Sequence, residues 1–221
     1  MDLMYTAHVP AGDGPFPTIV MLHGWGSNAH DLLGIAPSIH AGEALVLCPQ
    51  GPMSMQIGPG QQGHGWFPIS GGGPTDLQAL EASVEQLGAF LDRLLAEVPC
   101  DPRKLVLMGF SQGGVMAYAL ALRDPQRFAA LVAMSSWLPA EVADAVAAKP
   151  EGVSLPVLIT HGTADPMIPV ERAQESNERL RALGYAPVYR EFDMQHELRP
   201  EALQQVLGFL EDKVLSPVAL A

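Results

Sequence analysis

Cysteine is scarce in this chain of 221 residues: there are two, Cys48 and Cys100. Their separation matches no metal-ligand motif, and two thiols cannot build the disulfide framework that staples small secreted domains. Both are read as free thiols in a reducing, cytoplasmic setting. Positive charge is scarce as well. Twelve Lys and Arg stand against 24 Asp and Glu, for a net charge of −12 and a pI near 4.8. A surface this anionic repels phosphate backbones, which argues against nucleic acid as a partner. No basic amphipathic stretch suggests a membrane-surface helix. No apolar run reaches the ~18 residues of a membrane span, so no stable membrane insertion is expected. Met1–His8 lacks the basic and apolar regions of a signal peptide. No histidine pair is spaced as in H-E-x-x-H, which argues against a metal site. Internal repeats and linkers are not legible either.

What the chain does have is apolar material. Hydrophobic residues make up 48% and charged residues 16%, enough to bury one well-packed core, so a single domain over residues 1–221 is expected. Short apolar runs alternate with longer helical patterns. Strands are predicted at Thr18–Leu22, Ala44–Cys48, Lys104–Met108, Ala129–Met134, Val157–Thr160 and Pro187–Phe192, with Tyr5–Val9 as an extra edge strand. Most are continuous apolar runs, the mark of strands covered on both faces. Helices are predicted from a capping box at Thr75-Asp76-Leu77-Gln78 to about Glu97, and over Gln112–Leu122, Val170–Leu183 and Pro200–Lys213, with Gly184 as a stop. This alternation predicts an α/β fold, a mostly parallel central sheet with helices on both faces. The stretch Gly51–Pro74 breaks the rhythm. It holds eight glycines and four prolines and has neither period. Its apolar residues suggest a functional loop rather than a solvated excursion.

The strongest chemical signal is Gly109-Phe110-Ser111-Gln112-Gly113-Gly114, a G-x-S-x-G motif placed between an apolar strand and an apolar helix, the setting the motif requires. A nucleophile on so sharp a turn is held in strained backbone, and only small residues fit two positions before and after it. A serine hydroxyl needs a base, itself oriented by an acid, and in this arrangement both follow the nucleophile in the chain. The loop after the Val157–Thr160 strand supplies Asp165, and the loop after Pro187–Phe192 supplies His196. Chain order favours His196 over His161 as base. Asp193 is the rival acid but lies close to His196 in the chain. Ser135 and Ser136 lack flanking glycines and read as structural, and His23 reads as fixing its turn. The apolar run Ile19–Leu22 leads into His23-Gly24-Trp25-Gly26, a turn able to aim a backbone N–H at an oxyanion. Trp25 and Gln112 are therefore the expected oxyanion donors. Met53, Met55, Trp66, Phe67, Trp137, Leu138 and Met167 are candidates for an apolar acyl pocket, from loop position alone.

These residues resemble the phospholipase/carboxylesterase family of α/β-hydrolases, which includes bacterial carboxylesterases and acyl-protein thioesterases. The resemblance runs from about Thr18 to Leu210. It rests on Leu22-His23-Gly24-Trp25-Gly26, Gly109–Gly114, Ser136-Trp137-Leu138-Pro139, His161-Gly162-Thr163-Ala164-Asp165-Pro166 with Ile168-Pro169, and Gln195-His196. It implies an α/β-hydrolase fold with no large cap domain, Ser111, Asp165 and His196 as triad, and hydrolysis of esters or thioesters by water with no cofactor. The chain departs from the family at Trp66-Phe67-Pro68, where an acid commonly follows the two aromatics, and in the spacing of Gly58–Gly65. Both departures fall where substrate is selected, so acyl preference does not carry over. The expectation is a serine carboxylesterase, monomer or homodimer, acting on small-molecule esters of small to medium acyl chains through an acyl-enzyme. A thioesterase or lysophospholipase is the alternative, and a non-catalytic ligand-binding relative is the third reading.

Overall fold

The computed structural model describes residues 3–69, 75–146, 148, 150 and 153–216. Nine strands form in chain order: β1 Tyr5–His8, β2 Phe16–Leu22, β3 Leu45–Pro49, β4 Met53–Gly58, β5 Gln61–Gly65, β6 Cys100–Phe110, β7 Ala130–Met134, β8 Val157–Gly162 and β9 Val188–Phe192. Five α-helices are α1 Leu77–Glu97, α2 Gln112–Arg123, α3 Ala140–Ala145, α4 Val170–Ala182 and α5 Pro200–Leu210. Seven strands make one sheet in the order β1-β3-β2-β6-β7-β8-β9. Only the edge strand β1 is antiparallel, pairing Tyr5 with Pro49 and His8 with Val46. This is the α/β-hydrolase fold, and no insertion of domain size interrupts the alternation among the described residues.

The sheet's pleat sorts each strand between two apolar layers. Val20, Leu22, Leu105, Leu107, Leu131 and Ile159 face one way, against α1, α2 and α4. Ile19, Met21, Val106, Met108, Val132 and Leu158 face the other, against α5 and an irregular 3-10 stretch, Leu33–Gly42. Strands buried on both faces have no polar side to show, which is why they read as continuous apolar runs. Cys48 lies in this interior, where burial pushes its thiol up to about 12.

Three details differ from the sequence expectation. The cap of α1 is Asp76 rather than Thr75: the Asp76 carboxylate accepts from the Ala79 N–H at 3.0 Å. Asp caps as well as Thr, so pattern alone leaves a one-residue ambiguity. The long central strand β6 begins at Cys100, ahead of the expected start at Lys104. Most consequential, the stretch Gly51–Pro74 is not structureless through its first half. β4 and β5 form an antiparallel hairpin with Met53 opposite Gly65 and Gln56 opposite Gln62. The β5 sequence Gln-Gln-Gly-His-Gly has no apolar alternation, so nothing in it announces a strand. The second half includes residues 70–74, which lie outside the described residues. No helix among the described residues is long and apolar enough to cross a membrane.

Candidate active site

The parallel strands β6, β8 and β9 end at the same edge of the sheet, where α/β folds place their ligands. β6 runs directly into Ser111, whose φ of 54° and ψ of −120° lie in a region a non-glycine residue occupies only under constraint. The constraint is close packing. A side chain at Gly109 would collide with the backbone of Gly113, and one at Gly113 with the carbonyls of Leu22 and His23. Ser111 N–H donates to Met134 O of β7 at 2.9 Å, and Ser136 Oγ donates to Ser111 O at 2.7 Å. The turn is thus held from both sides, and Ser136 is part of its mounting.

The loop after β8 brings Asp165 to this edge, and the loop after β9 brings His196. His196 Nδ1 lies 2.7 Å from Asp165 Oδ2, and His196 Nε2 lies 3.0 Å from Ser111 Oγ. Asp165 Oδ1 accepts from the N–H groups of Met167 and Ile168, each at 2.9 Å, which leaves Oδ2 for the imidazole. A carboxylate at Nδ1 sets that nitrogen as the donor, so Nε2 is the one able to accept from the serine hydroxyl. The Phe110 ring packs against the imidazole with centroids 5.0 Å apart. The hydroxyl, imidazole and carboxylate stand in hydrogen-bonding series.

The rivals are engaged elsewhere. His161 is wholly buried, donates from Nε2 to Ile168 O at 2.9 Å, and lies 3.5 Å from Asp165 Oδ2. Burial holds its pKa below the usual 6.5. Asp193 is exposed, and its carbonyl accepts from Arg199 Nη1 at 3.0 Å. His23 spans its turn, with Nδ1 donating to Gly24 O at 2.7 Å and Nε2 accepting from Gly51 N–H at 3.0 Å. Desolvation lowers its pKa, in keeping with a neutral ring that both donates and accepts.

The Trp25 turn lies against Ser111: a Cβ at Gly24 would stand 3.3 Å from Ser111 Cβ. Among the described residues no hydrogen bond engages the N–H of Trp25 or of Gln112. The hairpin supports this turn. Gly26 N–H donates to His64 O at 2.8 Å, and His64 N–H donates to Ser27 O at 2.7 Å. Side chains at Gly63 or Gly65 would strike the Gly26 carbonyl and the Trp25 ring. The glycines that hide the strand from sequence reading are therefore what lets it seat. Gln112 does more than lend a backbone N–H. Its side chain accepts from Trp66 N–H at 2.8 Å and donates to Phe67 O at 2.6 Å, clamping the long loop to the Ser111 turn.

A cleft of about 480 Å³ opens over Ser111 and His196. Of the seven pocket candidates, Phe67, Trp137 and Met167 line it. Four do not, which corrects the loop-position argument. Trp66 is buried beneath, its Nε1 donating to His23 O at 2.9 Å and its carbonyl accepting from Ser83. Leu138 is buried, its N–H donating to Ser176 Oγ at 2.8 Å. Met53 and Met55 stay on the hairpin. The cleft instead takes Phe110, Ile168, Asp31 and Arg172. Asp31 and Arg172 carry no motif of their own. Arg172's position just past the acid loop, in the first turn of a helix, was the available signal.

The phospholipase/carboxylesterase family pattern matches residues 6–214. The chain belongs to the phospholipase/carboxylesterase family. Within that family it is 29% identical over 223 residues to acyl-protein thioesterase 1 of Gibberella zeae, covering 93% of this chain and 94% of that protein. It is 27% identical over 176 residues to a probable carboxylesterase of Oryza sativa subsp. japonica, covering 76% of this chain and 65% of that protein. Among solved structures, esterase PE8 superposes with a TM-score of 0.83 at 27% identity, covering 97% of this chain and all of that one. As a phospholipase/carboxylesterase family member the protein is a hydrolase, with the serine-hydrolase character of the family.

Proposed function

We propose that the protein is a serine carboxylesterase working through an acyl-enzyme, with Ser111, His196 and Asp165 as its triad. The observation that carries this reading is the unbroken series from Ser111 Oγ through His196 to Asp165 at the floor of the cleft. Ser111 Oγ attacks the ester carbonyl while His196 Nε2 takes its proton. The N–H groups of Trp25 and Gln112 hold the tetrahedral oxyanion, each such donor being worth about 3 kcal/mol of barrier. His196 returns the proton to the leaving alkoxide, which departs as the alcohol. Water, deprotonated by the same imidazole, then adds to the acyl-enzyme and releases the acid and the serine. Asp165 keeps Nδ1 protonated and stabilises the imidazolium.

Hydrolysis of p-nitrophenyl esters of increasing acyl length tests the reading, with Ser111→Ala as control. Loss of turnover in the alanine variant is expected, and full retention would overturn the assignment. The likeness to an acyl-protein thioesterase favours thioester hydrolysis as the second reading. Matched ester and thioester substrates separate the two, and a tenfold preference for the thioester would reverse their order. A fluorophosphonate that fails to label Ser111 would instead favour a non-catalytic binding protein.

A further inference from the structure

Arg172 is an unusual cation. It stands in the first turn of α4, where the helix dipole disfavours positive charge. Its guanidinium lies over the Trp137 ring, 4.5 Å from the centroid. No ion pair within 4.0 Å engages it among the described residues. Glu175, one turn along the helix, acts on it electrostatically, but its carboxylate pairs with Arg179 at 3.0 Å. Glu141 acts on it only at longer range. Partial burial pulls its pKa below the ordinary guanidinium range. The position is nevertheless firmly built. Ser176 Oγ donates to Arg172 O at 2.6 Å and accepts from Leu138 N–H, tying this turn of α4 to the segment that carries Trp137. Trp137 is itself buried, and its Nε1 lacks an acceptor among the described residues. The Arg172 guanidinium, exposed to solvent beside the cleft, thus has no protein acceptor among the described residues. Among the described residues Arg172 is the one permanent cation lining the cleft, and Asp31, the one carboxylate lining it, forms no ion pair with it.

We propose that Arg172 is a specificity residue that receives a carboxylate carried by the substrate, so that the protein prefers carboxylate-bearing esters to their neutral counterparts. This rests on the esterase reading of the same site. A guanidinium stacked on an indole presents its planar fork to a carboxylate in two-point fashion, a geometry that ammonium cannot copy. It also offsets the repulsion that a chain of net charge −12 exerts on an anionic substrate.

The test uses two matched pairs, one for each side of the ester bond. Mono-p-nitrophenyl glutarate is paired with p-nitrophenyl pentanoate, and 3-butyryloxypropanoate with propyl butyrate. Wild type is expected to favour the carboxylate member of at least one pair by tenfold or more in kcat/KM. That ratio is expected to fall at least tenfold in both R172M and R172Q, to be partly restored in R172K, and to stay put in R190M. Arg190 is exposed on β9, outside the cleft, and its loss changes net charge equally. Wild type favouring the neutral member of both pairs overturns the proposal whether or not any variant folds. So does an unchanged ratio in folded R172M or R172Q, or an equal fall in R190M. In those cases the esterase reading stands, because the neutral esters are still turned over. Failure of wild type to hydrolyse any of the four overturns both.

Discussion

Asp165 shows how much a single side chain can be asked to do. One oxygen is spent on the N–H groups of Met167 and Ile168, which closes its own loop, and the other faces His196. Asp165→Asn is isosteric and keeps an oxygen for the loop, but its amide presents an N–H to Nδ1 and favours the wrong tautomer. Steady-state kinetics on p-nitrophenyl butyrate are expected to show kcat lower by about 10⁴ with KM little changed. Gln112 is a different case, because its side chain is buried with both ends committed to the Trp66–Phe67 backbone. Gln112→Ala strands one donor and one acceptor, each costing about 1–3 kcal/mol when left unpaired and buried. A drop in unfolding free energy of at least about 2 kcal/mol is expected from denaturant titration, with the Gln112 backbone N–H still in place.

At the scale of elements, the hairpin β4–β5 is the part of the molecule whose role comes entirely from where it sits. It makes two backbone hydrogen bonds to the Gly26–Ser27 turn and crowds the Trp25 ring. Gly63→Ala places a methyl against the Gly26 carbonyl and must push hairpin and turn apart. A shift of about 1 Å in the Trp25 N–H is enough to cost on the order of 10²-fold in rate. The expectation is a fall in kcat accompanied by a loss of thermal stability, read by parallel kinetics and melting. A substitution at Gly60, on the tip and with no neighbour within 4 Å, is the contrasting control. Its φ of 71° makes a small loss of stability, and no loss of rate, the expected result.

For the molecule as a whole, acid is the relevant stress. Burial holds both His23 and His161 below the usual 6.5. In the unfolded chain both regain that value, so as pH falls the unfolded state takes up protons first. Their contribution to stability is complete above pH 6.5 and declines below it. Two such groups reduce the unfolding free energy by at most about 2 kcal/mol between pH 6.5 and 5.5. Denaturant unfolding across that interval checks this, and a flat profile would show that neither ring is held neutral by the fold.

The strand order was not written in any one strand, but the residues that had to be buried were. Continuous runs such as Leu105–Met108 and Ala130–Met134, short and bounded by turn residues, read as strands covered on both faces, and that leads to a parallel sheet wrapped by helices. Likewise Gly109–Gly114 carries its own geometry, because glycine at two fixed positions is what so sharp a turn needs. These local signals singled out Ser111, and chain order singled out Asp165 and His196, the side chains that stand in hydrogen-bonding series with it. Tertiary structure decided the rest. The hairpin escaped because Gln and Gly have no apolar alternation; its strands exist through pairing and through the Trp25 turn they lean on. Trp66, Leu138 and the hairpin methionines fell outside the cleft, and Arg172 fell inside it, because loop position says which end of the sheet a residue occupies and not which side of the backbone it faces. Hydrophobic burial and backbone sterics act over a few neighbours and are legible along the chain, whereas the walls of a cleft are set by contacts between segments far apart in the chain.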